Sequence, residues 1–281
     1  GVKTKEPLSF SWPQETHFSN NRNGDALLKQ TQDLFDPLAK ANYDRTPCLT
    51  LNDAIGDIKA LDKQVPDHWV TNKWSLEYKK IINAIGPGEK LCNVRFSDTS
   101  VFTWQIPEVF GTVDHYDINI LETIGKNRRH KKYGSIPNGN PLDYQTIVDL
   151  TGLKSIKTRL RNLLRLGYLK EKNDGYDLKG AMFCSGLFKR PVWDKPSPTI
   201  LTNFDNPRYF LHPDQNRPFS LRECARLQGF PDDFIFNTEN DLKALREGYR
   251  HVGNAVPPPL ARHFAASVKR ALTKGLNDET T

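Results

Sequence analysis

The sequence predicts an α+β chain, and three observations carry that prediction. A helix, turn, helix and tight hairpin follow one another after Pro141, helices are indicated from Ser220 to Gly229 and over residues 260–272, and no strand leads into the Gly-rich turn and helix that open a doubly wound sheet. At 281 residues the chain can build one large or two modest domains, each with its own core.

The first 50 residues are rich in Asn, Pro and polar groups, which predicts an irregular connector whose Trp12-Pro13 and Phe35-Asp36-Pro37 pieces pack on something larger. Residues 51–58 predict a short helix, and residues 75–85 predict another that stops at Gly86-Pro87-Gly88. Residues 101–120, with the strand-favouring residues Val, Phe, Thr, Trp and Ile, predict mostly extended chain. Residues 145–150 then predict a helix, Thr151-Gly152 a turn, and residues 154–166 a second helix ending at Gly167. In that second helix Leu153, Ile156, Leu160, Leu163 and Leu164 fall on one face, with Lys154, Lys157, Arg161 and Arg165 on a neighbouring stripe. Tyr168-Leu169-Lys170 and Tyr176-Asp177-Leu178 bracket Asn173-Asp174-Gly175, a tight-hairpin signal. Over residues 141–180 this is the order of a winged helix-turn-helix. Its second helix can enter the major groove, although such modules also serve only for packing or dimerisation.

The formal net charge is +7, and its distribution is informative: residues 121–170 hold eleven Lys or Arg against three Asp or Glu, leaving 29 basic and 30 acidic residues elsewhere. A localised excess suits a phosphate-binding face, because neutralised phosphates release their counterions; a merely solvated basic surface is the alternative. Arg128, Arg129, Lys131, Lys132, Lys154, Lys157, Arg161 and Arg165 are the candidate contacts to double-stranded DNA, mostly to phosphates. Cys48, Cys92, Cys184 and Cys224 lie far apart without metal-site spacing, so they are expected to be reduced thiols with no metal bound. No run of about 20 apolar residues is present, and Gly1-Val2-Lys3-Thr4-Lys5 lacks the apolar stretch of a signal peptide, so a cytoplasmic location and no membrane partner are expected.

Two C-terminal motifs are more specific. They are Arg217-Pro-Phe-Ser-Leu-Arg-Glu-Cys-Ala-Arg-Leu-Gln-Gly-Phe-Pro-Asp232 and Tyr249-Arg-His-Val-Gly-Asn-Ala-Val-Pro-Pro258. Ser220 with Glu223 three residues later forms a capping box. The helix it starts should show Leu221, Cys224, Ala225 and Leu227 to a core and end at Gly229, while Arg217, Arg222 and Arg226 hold neighbouring loops. Pro257 to Pro259 launch a final helix over residues 260–272, whose apolar positions suggest packing against a domain not obvious in these residues.

Together the two motifs resemble motifs IX and X of the cytosine-5 DNA methyltransferases. Lys195-Pro-Ser-Pro-Thr-Ile-Leu201 is similar to the Thr-Leu element that closes that family's target recognition domain, which would put Thr199 against the DNA backbone. Gly1-Val2-Lys3 and Asn52-Asp-Ala-Ile-Gly-Asp57 resemble the end of motif VIII and the short helix after it. The resemblance implies three segments: a connector over 1–90 packing on the catalytic domain, a target recognition domain over 91–215 with the winged helix inserted at 141–180, and a segment over 216–281 that completes a Rossmann-like cofactor domain. It implies a structural role for Arg217, Ser220, Arg222, Glu223, Arg226 and Gln228. Gly253, Asn254 and Ala255 would meet the amino-acid end of S-adenosylmethionine, with His251 standing where many members have Gln.

Within these residues the Pro-Cys-Gln nucleophile segment, the Glu-Asn-Val segment and the Gly-rich cofactor loop are absent. Pro47-Cys48 is followed by Leu49-Thr50 at a place the family does not use for catalysis, so no catalytic residue is expected here. The expected function is DNA recognition and completion of the cofactor site for a methyltransferase of bacterial, nucleoid-associated type. The nucleophilic Cys and most cofactor contacts would then lie on a catalytic domain or partner subunit carrying motifs I–VIII. The alternative is a non-catalytic, sequence-specific DNA-binding or regulatory protein derived from that family.

Overall fold

The computed structural model describes residues 12–13, 17–18, 46–71, 73–93, 97–137, 139–179, 186–237 and 241–277. The Gly1-Val2-Lys3 and Phe35-Asp36-Pro37 pieces and Cys184 lie outside the described residues. The chain packs as two units, one of residues 1–69, 193–203 and 220–281, the other of residues 70–192 and 204–219. These limits differ from breaks at 90 and 215, because 193–203 returns to the first unit and 70–90 belongs to the second.

In the first unit, β1 (His17–Phe18) pairs in parallel with β2 (Thr46–Pro47). Helix α1 (Leu51–Ile55) starts at Thr50, whose hydroxyl accepts from the Asp53 amide while the Asp53 carboxylate accepts from the Thr50 amide. Its backbone is stitched to the returning strip: the Leu51 amide donates to the Lys195 carbonyl at 2.9 Å and the Asn52 amide to the Trp193 carbonyl at 3.1 Å. Helix α7 (Leu221–Leu227), α8 (Leu242–Asn254) and α9 (Pro258–Asn277) complete the unit, and these labels follow those of the second unit in chain order. Helix α7 packs against both α1 and α8. Asp241 caps α8 by accepting from the amides of Lys243 and Ala244, and Leu245, Tyr249 and Val252 form its buried stripe.

The second unit holds α2 (Leu76–Ala84), β3 (Lys90–Leu91) in parallel with β4 (Ser100–Val101), α3 (Pro107–Phe110), α4 (His115–Asn127), α5 (Tyr144–Thr151), α6 (Lys157–Arg165) and the antiparallel pair β5 (Leu169–Lys172) and β6 (Gly175–Leu178). One core gathers Ile81, Ile82, Ile85, Leu91, Phe188 and Leu211. Arg190 bridges this region with a buried guanidinium that donates to the carbonyls of Ile85, Ile82, His212 and Gln215. Two of those carbonyls end α2, where the helix dipole favours a positive charge. The other core joins Ile120, Leu121 and Ile124 of α4 to Ile147, Leu160, Leu163, Leu169 and Leu178.

The expected extended stretch at 101–120 is corrected. Beyond Val101 the chain forms a 3-10 turn over Thr103–Gln105, then α3 and α4. Asp114 decides the outcome: its carboxylate accepts from the amides of Tyr116 and Asp117, satisfying donors that the first helical turn leaves open. The β-branched residues then fall at helical spacing, with Ile120, Leu121 and Ile124 on the buried face.

Helices α5 and α6, joined through Gly152 and followed by the β5–β6 hairpin, appear in the order read from the sequence, with α6 beginning three residues later at Lys157. Asn173 and Asp174 both adopt positive φ, 48° and 57°, the turn geometry that matches strand twist. Gly175 serves close approach: a Cβ there would meet the Leu142 carbonyl oxygen at 2.9 Å, where Leu142 bridges antiparallel to Tyr176.

Candidate functional site

Lys157, Thr158, Arg161 and Arg165 line the exposed side of α6, and Lys154 is exposed just ahead of it. The opposite side carries Leu160 and Leu163, fully buried, with Ile156 buried at the N-cap. Burial of that stripe, about 1.5–3 kcal/mol for each side chain, fixes which side of α6 faces water. Arg129, Lys131 and Lys132 are exposed after α4, with the Lys132 ammonium 4.8 Å from the Tyr133 ring centre. Lys170 and Lys172 are exposed on β5.

Two arginines of the basic stretch have other work. Arg128 is buried, and its Nε and Nη2 donate to Asp177 Oδ1 and Oδ2 at 2.7 and 2.9 Å, so the guanidinium expected on phosphate joins α4 to β6 instead. Arg159 donates to Asp114 and Asp117, and lies over the Tyr116 ring. The Arg159 hydrogen bond holds the Asp114 carboxyl below its usual range, and Asp114 in turn raises the guanidinium. Neither this network nor Arg190 is legible in the sequence, because partners distant along the chain, carboxylates for Arg159 and backbone carbonyls for Arg190, leave no local signal.

The first of the two C-terminal motifs is a hydrogen-bonded hub. Ser220 and Glu223 form the capping box, with Ser220 N donating to Glu223 Oε2 at 2.7 Å. The Ser220 hydroxyl also meets His68 Nδ1 at 2.8 Å while His68 Nε2 faces the Ala60 carbonyl at 2.9 Å. Since a carbonyl can only accept, Nε2 carries a proton, and in the neutral ring Nδ1 accepts from the hydroxyl. Arg222, almost wholly buried, donates to the carbonyls of Pro66, Pro231 and Phe234 and to the Asp67 carboxylate at 3.3 Å. Asp67 Oδ1 and Oδ2 also accept from the amides of Asn237 and Phe236, with Asp67 itself held at φ 65°. Arg226 bridges Asp57 and Asp232, and Gln228 donates to the Val252 carbonyl at 3.0 Å, tying α7 to α8. Arg217, in the second unit, donates to the Gln215 side chain and the Pro218 carbonyl. These side chains hold loops and termini together.

Gly253 and Asn254 end α8, and Ala255 continues in extended geometry. A Cβ on Gly253 would lie 2.5 Å from the Thr202 amide nitrogen and 2.6 Å from the Leu201 carbonyl carbon, so only glycine lets the helix end approach the 201–202 backbone. Asn254 and Thr199 are exposed, while Ile200 is buried. The Asn254 amide has no partner among the described residues and can both donate and accept. Cys48 is half-buried beside the α1 cap, and Cys92 and Cys224 are buried. Among the described residues no group of three or more His, Cys, Asp or Glu is placed to hold a metal ion, and no helix is long and apolar enough to cross a membrane.

Residues 118–270 match the family of C-5 cytosine-specific DNA methylases, more than half of the chain, and the chain belongs to that family. It is 28% identical over 187 residues to the type II methyltransferase M.HgiCI of Herpetosiphon aurantiacus, covering 65% of this chain and 43% of that protein. It is 45% identical over 95 residues to the type II methylase M.HgiDII of the same organism, covering 33% of this chain and 26% of that one. It is also 43% identical over 90 residues to the DNA (cytosine-5)-methyltransferase 3 of Arabidopsis thaliana, covering 31% of this chain and 6% of that protein. The chain therefore spans less than half the length of these relatives.

Proposed function

We propose that this chain is the DNA-reading and cofactor-site-completing portion of a DNA (cytosine-5-)-methyltransferase. Family membership supports the reaction, and the exposed basic side of α6 supports the contact with DNA. In this reading α5, α6 and the hairpin act as a winged helix-turn-helix within a target recognition domain, and Arg129, Lys131, Lys132, Lys154, Lys157, Arg161 and Arg165 contact duplex DNA. Thr199 touches the backbone near the target base. The target cytosine turns out of the stack to reach the chemical site, since carbon 5 and carbon 6 are not open to attack within the duplex.

S-adenosylmethionine supplies an electrophilic methyl group when bound. Gly253, Asn254 and Ala255 fit its amino-acid end: the amide of Asn254 suits a group carrying both an ammonium and a carboxylate, and Gly253 fixes where that amide projects. The cysteine nucleophile and the greater part of the cofactor pocket belong to a catalytic domain or subunit carrying the family's remaining motifs. The α7 hub keeps the loops around that wall in place.

Transfer of labelled methyl groups to mixed-sequence DNA tests the proposal, with this chain alone and together with a polypeptide that carries the remaining motifs. Transfer only in the mixture is expected. Transfer by this chain alone would overturn the assignment, and silence in both with DNA binding retained would favour a non-catalytic reader.

A further inference from the structure

We infer that Thr158 and Arg161 of α6 determine sequence specificity, with Arg161 reading a guanine in the major groove and Thr158 the adjoining base pair. This rests on the DNA-binding reading above and goes beyond it by separating base readers from phosphate contacts.

The separation follows from how the basic side chains are committed. Of the three arginines on α6, Arg159 is held by Asp114 and Asp117, and Arg165 donates to Asn162 Oδ1 at 2.9 Å. Arg161 alone among the three has no acceptor within the described residues. A guanidinium with its planar fork unspent can make the paired hydrogen bonds to O6 and N7 that single out guanine. Arg165, drawn toward Asn162 at the end of the helix, is better placed to meet a phosphate.

Thr158 stands at the middle of this side. Its hydroxyl has no partner among the described residues: as the second residue of α6 it has no helical carbonyl one turn back to lean on, unlike Thr151, which donates to Ile147 at 2.7 Å. It is exposed beside the longer Lys157 and Arg161, and its short side chain lets a groove edge approach the backbone there. A short side chain with one methyl and one hydroxyl can touch a thymine methyl or hydrogen-bond a base edge there. Residues 158 and 161 are about 4.5 Å apart along the helix axis, close to the roughly 3.4 Å spacing of stacked bases, so the two can address neighbouring base pairs. No Asp or Glu lies on α6 to repel the duplex. The buried stripe of Leu160 and Leu163 keeps the outward side from rotating away.

The test is selection by the full chain from a random duplex library, with sequencing of the bound pool, for the wild type and for Arg161→Ala, Thr158→Ala and Arg165→Ala. The wild type is expected to enrich a motif containing guanine. Arg161→Ala should lose preference at that guanine, with a tenfold to hundredfold fall on the preferred site, on the order of what one bidentate contact discriminates. Thr158→Ala should relax only the adjoining position. Arg165→Ala should weaken all sequences alike and lower the salt slope by about one. All three residues are exposed or at a helix end, so melting temperatures unchanged from wild type are expected and separate lost reading from lost folding. An enriched motif that survives both Arg161→Ala and Thr158→Ala overturns the inference and leaves DNA binding standing, as does duplex binding with no preference at all. Absence of any duplex binding overturns the inference together with the reading beneath it.

Discussion

Arg128 and Asp177, forty-nine positions apart in the sequence, meet side-on with both side chains almost fully buried. The Asp177 carboxylate also accepts from the Leu178 amide at 2.8 Å and lies 3.6 Å from the Lys170 ammonium. The pair joins the end of α4 to β6, adding a buried ion pair to the apolar core that the helix and hairpin share. Arg128→Ala should cost about 3–5 kcal/mol, because it strands a buried carboxylate. A double replacement, Arg128→Met with Asp177→Leu, should cost much less. Urea unfolding of the wild type, the two corresponding single variants and the double variant checks this, and a double loss equal to the sum of the single losses would show that the pair is not coupled.

Gly253→Ala should destabilise the first unit by about 1–3 kcal/mol, the usual cost of forcing atoms into a filled space. The obstruction is backbone of residues 201–202, which cannot rotate aside as a side chain would. Thermal melting measures the loss.

Asn254→Ala removes an exposed amide and should leave the melting temperature within about 1 °C of wild type, since surface changes usually stay within about 0.5 kcal/mol. In the reconstituted methyltransferase it should raise the cofactor concentration needed for half-maximal rate while DNA affinity stays unchanged. Equal loss of both would contradict the cofactor assignment.

Arg226 holds the Asp57 and Asp232 carboxyls below their usual range, chiefly through its hydrogen bonds to each. Carboxyls lowered in the folded state contribute stability that is present above the unfolded value, near pH 4, and lost as pH falls through the folded value. The wild type should therefore lose stability on acidification below about pH 4. Arg226→Gln should be less stable at neutral pH and show a shallower loss across the acid range. Denaturant midpoints at a series of pH values give both curves, and parallel curves would show that the bridge contributes nothing.

Asp174→Gly should stabilise the hairpin by roughly 1 kcal/mol, because a side chain at φ 57° carries a steric cost that glycine avoids. Asn173→Val should act in the opposite direction. Both are read from melting temperatures.

Features written in adjacent residues were legible: the Ser220–Glu223 cap, the Asn173-Asp174 turn and the paired helices before it all emerge from local chemistry. Helix α8 lies outside the helices that the motifs predict, although Asp241 and the spacing of Leu245, Tyr249 and Val252 announce it. The long-range partners were out of reach. A basic stripe looks uniform in sequence, and only the folded chain shows that Arg128 and Arg159 are withdrawn by Asp177 and Asp114 while Arg161 is left to face outward. Likewise the chain's return at 193–203 to pair with α1 depends on backbone groups, which every residue carries alike.

The clasp between Arg128 and Asp177 also bears on kinetics. Helix α4, the hairpin and the core they share with α6 are set before any duplex arrives, so little entropy of ordering remains to be lost on docking. Association would then be limited by how often the basic side collides in a workable orientation, accelerated at low salt by long-range attraction, and not by a slow folding step after contact.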